Sequence, residues 1–205
     1  MAVWRSVDFS RPEAQRLADL TGISYDLNAV REHCDMFLAR NESTREDAAL
    51  RVSLCVSAII FYGRTMTSGV RSGISKEQIL QLSQELQETH EHFKDVRDKF
   101  IAHSVNAFEE SRVCAFLVPE ERGERAISGI STQHGRVLTL SEYAMQALKE
   151  LAGALLEIIE TETEAERAKV LEFARTLPID PLYEAGAAPA FTANSSPSVP
   201  RGRFS

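Results

Sequence analysis

The chain lacks most of the features that assign a protein at sight. No stretch approaches the roughly 20 consecutive apolar residues that a membrane-spanning helix requires. The first residues, MAVWRSVDFSRPEAQ, have no apolar core of the kind a secretory signal needs. Cysteine is scarce: Cys34, Cys55 and Cys114 are far apart and odd in number. That excludes a disulfide framework and reads as buried thiols in a reducing compartment. These absences predict a cytoplasmic protein without a membrane partner. No glycine-rich loop follows a strand to cradle phosphate, and GISTQHG does not supply one. No Ser or Cys nucleophile motif and no internal repeat is evident. His90 and His92, two apart, face nearly opposite ways on a helix, and Glu88 with His92 makes only two ligands, so neither metal nor cofactor is expected. His33 and His134 read as a surface helix residue and a turn residue.

What is present is an ordinary globular composition, 43% hydrophobic and 26% charged over 205 residues, enough for one sizeable domain. A net charge of −7 argues against unselective nucleic-acid binding. The acid is uneven. Residues 141–184 carry ten acidic and four basic side chains, whereas residues 64–103 carry six of each plus three histidines. A neutral or locally positive cleft in the middle of the chain is compatible with that distribution.

The apolar period is mostly helical. Residues 11–20 predict a short helix stopped by Thr21-Gly22, and Ser24 then caps a second helix to about Arg40, with Leu27, Val30, Cys34, Phe37 and Leu38 on one face. A capping box from Ser43 to Glu46 precedes AALRVSLCVSAIIFYGR, apolar nearly all round and so expected to be the central helix. Residues 65–75 form a loop. Ser75 and Gln78 open a long helix from about Lys76 to Ser104, whose stripe runs Ile79, Leu82, Leu86, Thr89, Phe93, Val96, Phe100 and His103. The period then changes. RVCAFLV, AISGIST and RVLTL predict a small β meander over about 112–140, turning at Gln133-His134-Gly135. Thr139 with Glu142 restarts a helix, and Thr163 with Glu166 marks a break or second helix to about Leu177. The whole predicts a mainly α antiparallel bundle, a single domain over residues 1–184, with a β meander or hairpin before the C-terminal helix. The Pro-, Ala- and Ser-rich residues 185–205 predict a flexible tail.

Chemistry concentrates in RDKFIAHS, residues 97–104. His103 continues an apolar stripe and so faces a packed surface, where its titration near neutrality suits a general acid or base. Arg97 adds a permanent charge and a planar fork matched to phosphate oxygens. Together they suffice for metal-independent RNA cleavage: a base deprotonates the ribose 2′-hydroxyl, which attacks its own phosphate while the cation stabilises the developing charge. Six residues along a straight helix turn through about 600°, so the two side chains point roughly 120° apart. Either the helix ends or bends near His103, or the arginine wraps around, or two subunits pool their pairs across a helix–helix seam. Asp98 would pair with Arg97 of a neighbouring chain or orient a partner, and Asn106 would hold the imidazole or an RNA phosphate. The plainer alternative is a core histidine bonded to a backbone carbonyl, with Arg97, Asp98 and Lys99 as a solvated edge. A third reading makes the stripe an oligomerisation surface only.

RDKFIAHS resembles the signature of HEPN (higher eukaryotes and prokaryotes nucleotide-binding) domains: Arg, a polar residue, then His four to six positions after the Arg, at the end of a long helix. Arg97, Asp98 and His103 fill those roles, and YGRTMTSGVR with HSVNAFEE resembles the abortive-infection branch. The likeness covers about residues 24–110 plus the C-terminal helix; the meander is not part of the minimal domain. It implies a helical bundle that dimerises so that two motifs line one cleft, acting as a metal-independent endoribonuclease, a toxin or phage-defence effector with a cognate antitoxin as candidate partner. Some relatives are instead non-catalytic modules that bind a nucleotide or a partner.

Arg64 and Arg71 flank the 65–75 loop. They, with Lys99, are candidates for gripping an RNA backbone, or else Arg64 and Arg71 are helix C-terminal cations that favour the negative dipole end. The acidic run EIIETETEAER is a solvated helix face or a dock for a basic partner.

Overall fold

The computed structural model describes residues 6–41, 43–66, 70–98, 109–123, 125–136 and 139–186. The side chains of residues 109, 110 and 136 are outside that description. The protein is mainly helical, with a two-stranded antiparallel sheet before the long C-terminal helix.

Helix α1 spans Gln15–Leu38. Leu20, Ile23, Leu27, Val30, Cys34 and Phe37 recur at steps of three and four and are all buried. The predicted stop at Thr21-Gly22 does not occur; the helix runs straight through both residues. Gly22 is there for proximity instead. A Cβ at that position would lie 2.8 Å from Nη1 of Arg71, so the arginine crosses the helix where no side chain stands. Packing on both sides outweighs the roughly 1 kcal/mol that glycine costs a helix interior.

Helix α2 covers Arg45–Arg64. Its cap is Thr44, not Ser43: the Thr44 hydroxyl oxygen accepts from the Asp47 amide, and the Asp47 carboxylate accepts in turn from the Thr44 and Ser43 hydroxyls. This helix is not the central one. Leu54, Cys55, Ala58, Ile59 and Tyr62 are buried, but Ile60 is exposed. The centre is α1, packed between α2 and the C-terminal helix. Arg51 secures that arrangement. Its buried guanidinium lies 4.0 Å from the centroid of Phe37, donates to the Phe37 carbonyl in the last turn of α1 and to the Arg40 carbonyl just beyond it, and reaches Glu142.

The capping box at Ser75 and Gln78 forms as read, and opens α3, Lys76–Ile79. The expected long helix does not follow. The chain breaks over residues 80–83, Ser83 caps a new helix by accepting from the Leu86 amide, and α4 spans Gln84–Val96. Leu82, Phe93 and Val96 of the predicted stripe are buried in the chain's own core, and Leu86 and Thr89 are partly covered. The described part of the stripe is therefore not available as a seam between subunits. Phe100 and His103 lie outside the described residues.

Strands β1 (Glu109–Leu117) and β2 (Ile127–Arg136) replace the three-stranded meander. The predicted turn at residues 133–135 is wrong: Gln133, His134 and Gly135 sit in the ladder opposite Arg112, Ser111 and Glu110. The reversal comes after Pro119, through a 3-10 turn at Glu120–Arg122 closed by Gly123 at φ 73°. RVLTL forms no third strand among the described residues.

Helix α5 runs unbroken from Glu142 to Arg175, about 50 Å at 1.5 Å per residue. Ser141 caps it, not Thr139. Thr163 does not interrupt it, because its hydroxyl donates back to the Ile159 carbonyl at 2.6 Å. Met145, Leu148, Leu151, Ala152, Leu155 and Ile159 complete the core. Gln78 and Arg16 both bond Glu162 at 2.9 Å, tying α3 and α1 to α5. A short helix, α6 (Ile179–Glu184), ends where the predicted tail begins. Among the described residues, no helix is long and apolar enough to cross a membrane.

Candidate functional site

Three arginines meet at the C-terminal end of α2. The α-helical part of α4 stops at Val96, and Arg97 and Asp98 continue in a π-helical turn. The straight-helix premise behind a 120° offset from His103 therefore fails at Arg97 itself. The stem of Arg97 lies against Gly63: an added Cβ there would be 2.9 Å from its Cγ and 3.2 Å from its Nε. Its Nη1 donates to Asp98 Oδ1 at 2.6 Å, with both side chains about half exposed.

Arg64, the last residue of α2, is 57% exposed; its guanidinium stacks 5.3 Å from the Phe61 centroid and faces Asp26 Oδ1 at 3.4 Å. Arg71 reaches back from the loop, 26% exposed, and its Nη2 donates to Asp26 Oδ2 at 2.6 Å and to the Arg64 carbonyl at 2.8 Å. That second bond is the helix-end role foreseen for a cation there. Asp26 is buried on α1, and its Oδ1 meets Arg64 without hydrogen-bond geometry. A buried carboxylate persists only when paired, so Asp26 fixes the loop as much as the loop covers Asp26. One helical heptad earlier, Asp19 accepts from the Ser72 amide and the Gln15 side chain. The loop ends are pinned by the Ile74 amide on the Thr65 carbonyl at 2.7 Å.

Of the sequence candidates, Arg97, Asp98, Arg64 and Arg71 are thus placed around one helix end, with Arg71 taken up mainly by structure. His103, Asn106 and Lys99 lie outside the described residues. The structure adds Asp26 and Asp19, whose signal was an acid next to each of two stripe residues, Leu27 and Leu20.

A second polar feature escaped the sequence reading. His90 is buried, and its Nδ1 shares a hydrogen bond of 2.8 Å with the Tyr62 hydroxyl. Burial is the main cause that holds the imidazole below its usual pKa; Glu91 opposes the shift and Lys94 adds to it. Burial likewise pushes the Tyr62 phenol above its ordinary range. Both shifts favour the neutral forms of the pair. The pair sits edge to face at 6.2 Å, as do Tyr62 and Phe93. Leu86, His90, Phe93 and Val96 also step by four and three, so the stripe could have been traced through His90 instead of Thr89.

The other histidines differ in setting. His92 is exposed. His33 is half-buried, stacked on Phe61 at 5.4 Å, and His134 bonds the Ser111 hydroxyl within the ribbon. Among the described residues, no three His, Cys, Asp or Glu side chains group so as to hold a metal ion.

Comparison with protein-family models, with curated proteins and with solved structures gives no match to this chain.

Proposed function

We propose that the protein is a metal-independent endoribonuclease of the HEPN type, working as a homodimer and serving as a toxin or phage-defence effector. His103 takes the proton of the ribose 2′-hydroxyl, Arg97 stabilises the charge on the attacked phosphate, and Asp98 and Asn106 support them. The observation that carries the reading is the seating of Arg97. A glycine on α2 makes room for its stem at the helix end, and its half-exposed guanidinium is a planar fork matched to phosphate oxygens. Asp98, half exposed, occupies Arg97 in the absence of substrate and is weakly enough held to yield to a phosphate.

The test is incubation of purified protein with mixed RNA in excess EDTA, beside a folded His103→Ala protein. Cleavage by the wild type alone, leaving 2′,3′-cyclic phosphate and 5′-hydroxyl ends, is expected. Undiminished cleavage by His103→Ala would refute the assignment.

A second reading, a non-catalytic module that binds a nucleotide or a partner protein, is favoured by one observation. Asp26 and Asp98 between them pair all three arginines, leaving little net positive charge. It predicts that His103→Ala changes stability or binding and that neither protein cuts RNA.

A further inference from the structure

The β1–β2 ribbon is a surface the nuclease reading leaves unused. Neither strand makes more than marginal contact with a helix among the described residues. Its two faces differ. Directly paired residues share a face, so Val113 with Thr132, Ala115 with Ile130, and Leu117 with Ile127 line one side. Alternation alone would send Ile127 to the other side from Ile130. A register shift at Phe116/Leu117 brings it back, with Ser128 as the extra residue, its hydroxyl bonded to the Phe116 carbonyl. Val113, Leu117, Ile127 and Ile130 are each between 64% and 73% exposed. The opposite face is mixed, with Arg112, Cys114, Phe116 and Gln133. At the tip, Leu117, Val118, Ala126 and Ile127 border a hollow of about 440 Å³ whose outer wall is the Glu120–Arg125 pair.

We infer that this face is a homodimer interface, two ribbons stacked across a two-fold axis. A two-stranded ribbon with one apolar face is at best marginally stable in water, and needs a second layer about 10 Å away. The occupant follows from charge and size. From Ser111–His134 to Leu117–Ile127 the face carries no carboxylate, ammonium or guanidinium. Two copies of a chain of net charge −7 therefore meet there without opposing like charges. A nearly flat, uncharged apolar strip complements itself under two-fold symmetry. Nine residues of strand span about 30 Å, and covering the face on both copies removes on the order of 1,000 Å² from water, the lower end of specific interfaces. The inference does not depend on RNA cleavage, and it moves the dimer contact away from the helical stripe first expected to supply it.

The experiment is sedimentation velocity on the full chain across about 1 to 200 µM, a range suited to an interface of this size. The wild type is expected to shift toward twice the 22.8 kDa chain mass as concentration rises. Val113→Lys with Ile130→Lys is expected to stay at the monomer mass throughout with an unchanged far-ultraviolet helix signal. Gln133→Lys, on the opposite face, is expected to dimerise like the wild type. A wild type that remains monomeric would overturn the inference and leave the face to a different protein. So would a dimer that survives the double substitution, or one lost equally in Gln133→Lys.

Discussion

Replacing Asp26 by Asn removes one negative charge from between two guanidiniums without changing volume. Asp26 is buried, Arg71 is 26% exposed and Arg64 57% exposed. Removing one partner of a buried ion pair costs about 3–5 kcal/mol, because the other charge stays buried and uncompensated. Arg64 recovers most of its hydration by turning outward, which takes its share away. Arg71 cannot do so fully, since its stem crosses Gly22 and its Nη2 is tied to the Arg64 carbonyl. Asn also presents an amide donor to one of two donor groups. The expected loss is therefore about 2–3 kcal/mol. With a urea m-value of about 2 kcal/mol/M, the midpoint falls by about 1 M at unchanged m. Asp98→Asn is the control. It breaks a half-exposed pair of the same 2.6 Å length and is expected to cost under about 1 kcal/mol. The two proteins would be compared by urea unfolding followed by circular dichroism. Equal midpoint shifts for Asp26→Asn and Asp98→Asn would refute the claim that burial, not pairing distance, sets the value of these ion pairs.

Tyr62→Phe deletes the hydrogen-bond partner of His90 and leaves a buried ring nitrogen bare, at a cost of about 1–3 kcal/mol by the same unfolding assay. Because the folded His90 pKa lies below its unfolded value, the unfolded state binds the extra proton first. Stability is then full above pH 6.5 and falls as pH drops toward the folded pKa. Midpoints at pH 7.5 and 5.5 should show that loss, and His90→Gln should lessen it; an equal drop in His90→Gln would assign it elsewhere. Burial pushes the Cys34 thiol up to about 12 and raises that of Cys55, so Ellman titration of native protein should find one fast thiol, Cys114, and two more only after unfolding. Two fast thiols in the native state would contradict the packing. Among the arginines, Arg97→Ala and Arg64→Ala should weaken RNA retention on a filter with little change in stability, and Arg71→Ala should do the reverse. Loss of retention in Arg71→Ala alone would invert the assignment.

How much of this was legible depended on how far each signal reached along the chain. The helical class, the hairpin before the last helix, and the Ser75–Gln78 cap rest on residues within a few positions of each other, and the sequence carries them. Gly22 does not: it reads as a helix stop until Arg71, 49 residues on, is seen lying across it. Ser83 was hidden for a different reason. Steps of three and four continue across the break between α3 and α4, and Ser83 has Leu86 at the third helical position, so no capping box betrayed it. In the ribbon, the sequence reading puts the turn at Gly135 and not at Gly123, where the chain reverses. Gly135 has ordinary strand conformation, whereas Gly123 alone takes positive φ, and only the ladder register separates them. Of the site, Arg97 and Asp98 were legible as a motif, but the glycine that seats Arg97 and the carboxylate that absorbs Arg71 belong to other helices.

Charge accounting at the α2 end separates the arginines that can exchange partners from those that cannot. Three guanidiniums face Asp26, Asp98 and the partial negative charge, about half an elementary unit, of a helix C-terminus. The three cations exceed these charges by only about half a unit, so on the nuclease reading an arriving phosphate gains chiefly by displacing a resident carboxylate. Asp26 is the wrong one to displace: it is buried, and expelling it from Arg71 would strand a charge in the core. Asp98 is the right one. Its pair with Arg97 is half in water and worth little, whereas a phosphate offers the planar fork two charge-assisted bonds. On the nuclease reading, the Asp98–Arg97 pair is the resting state of the cation, and the buried Asp26 keeps the helix end folded while that pair is exchanged. That reading lodges stability in the buried Asp26 and exchange in the half-exposed Asp98.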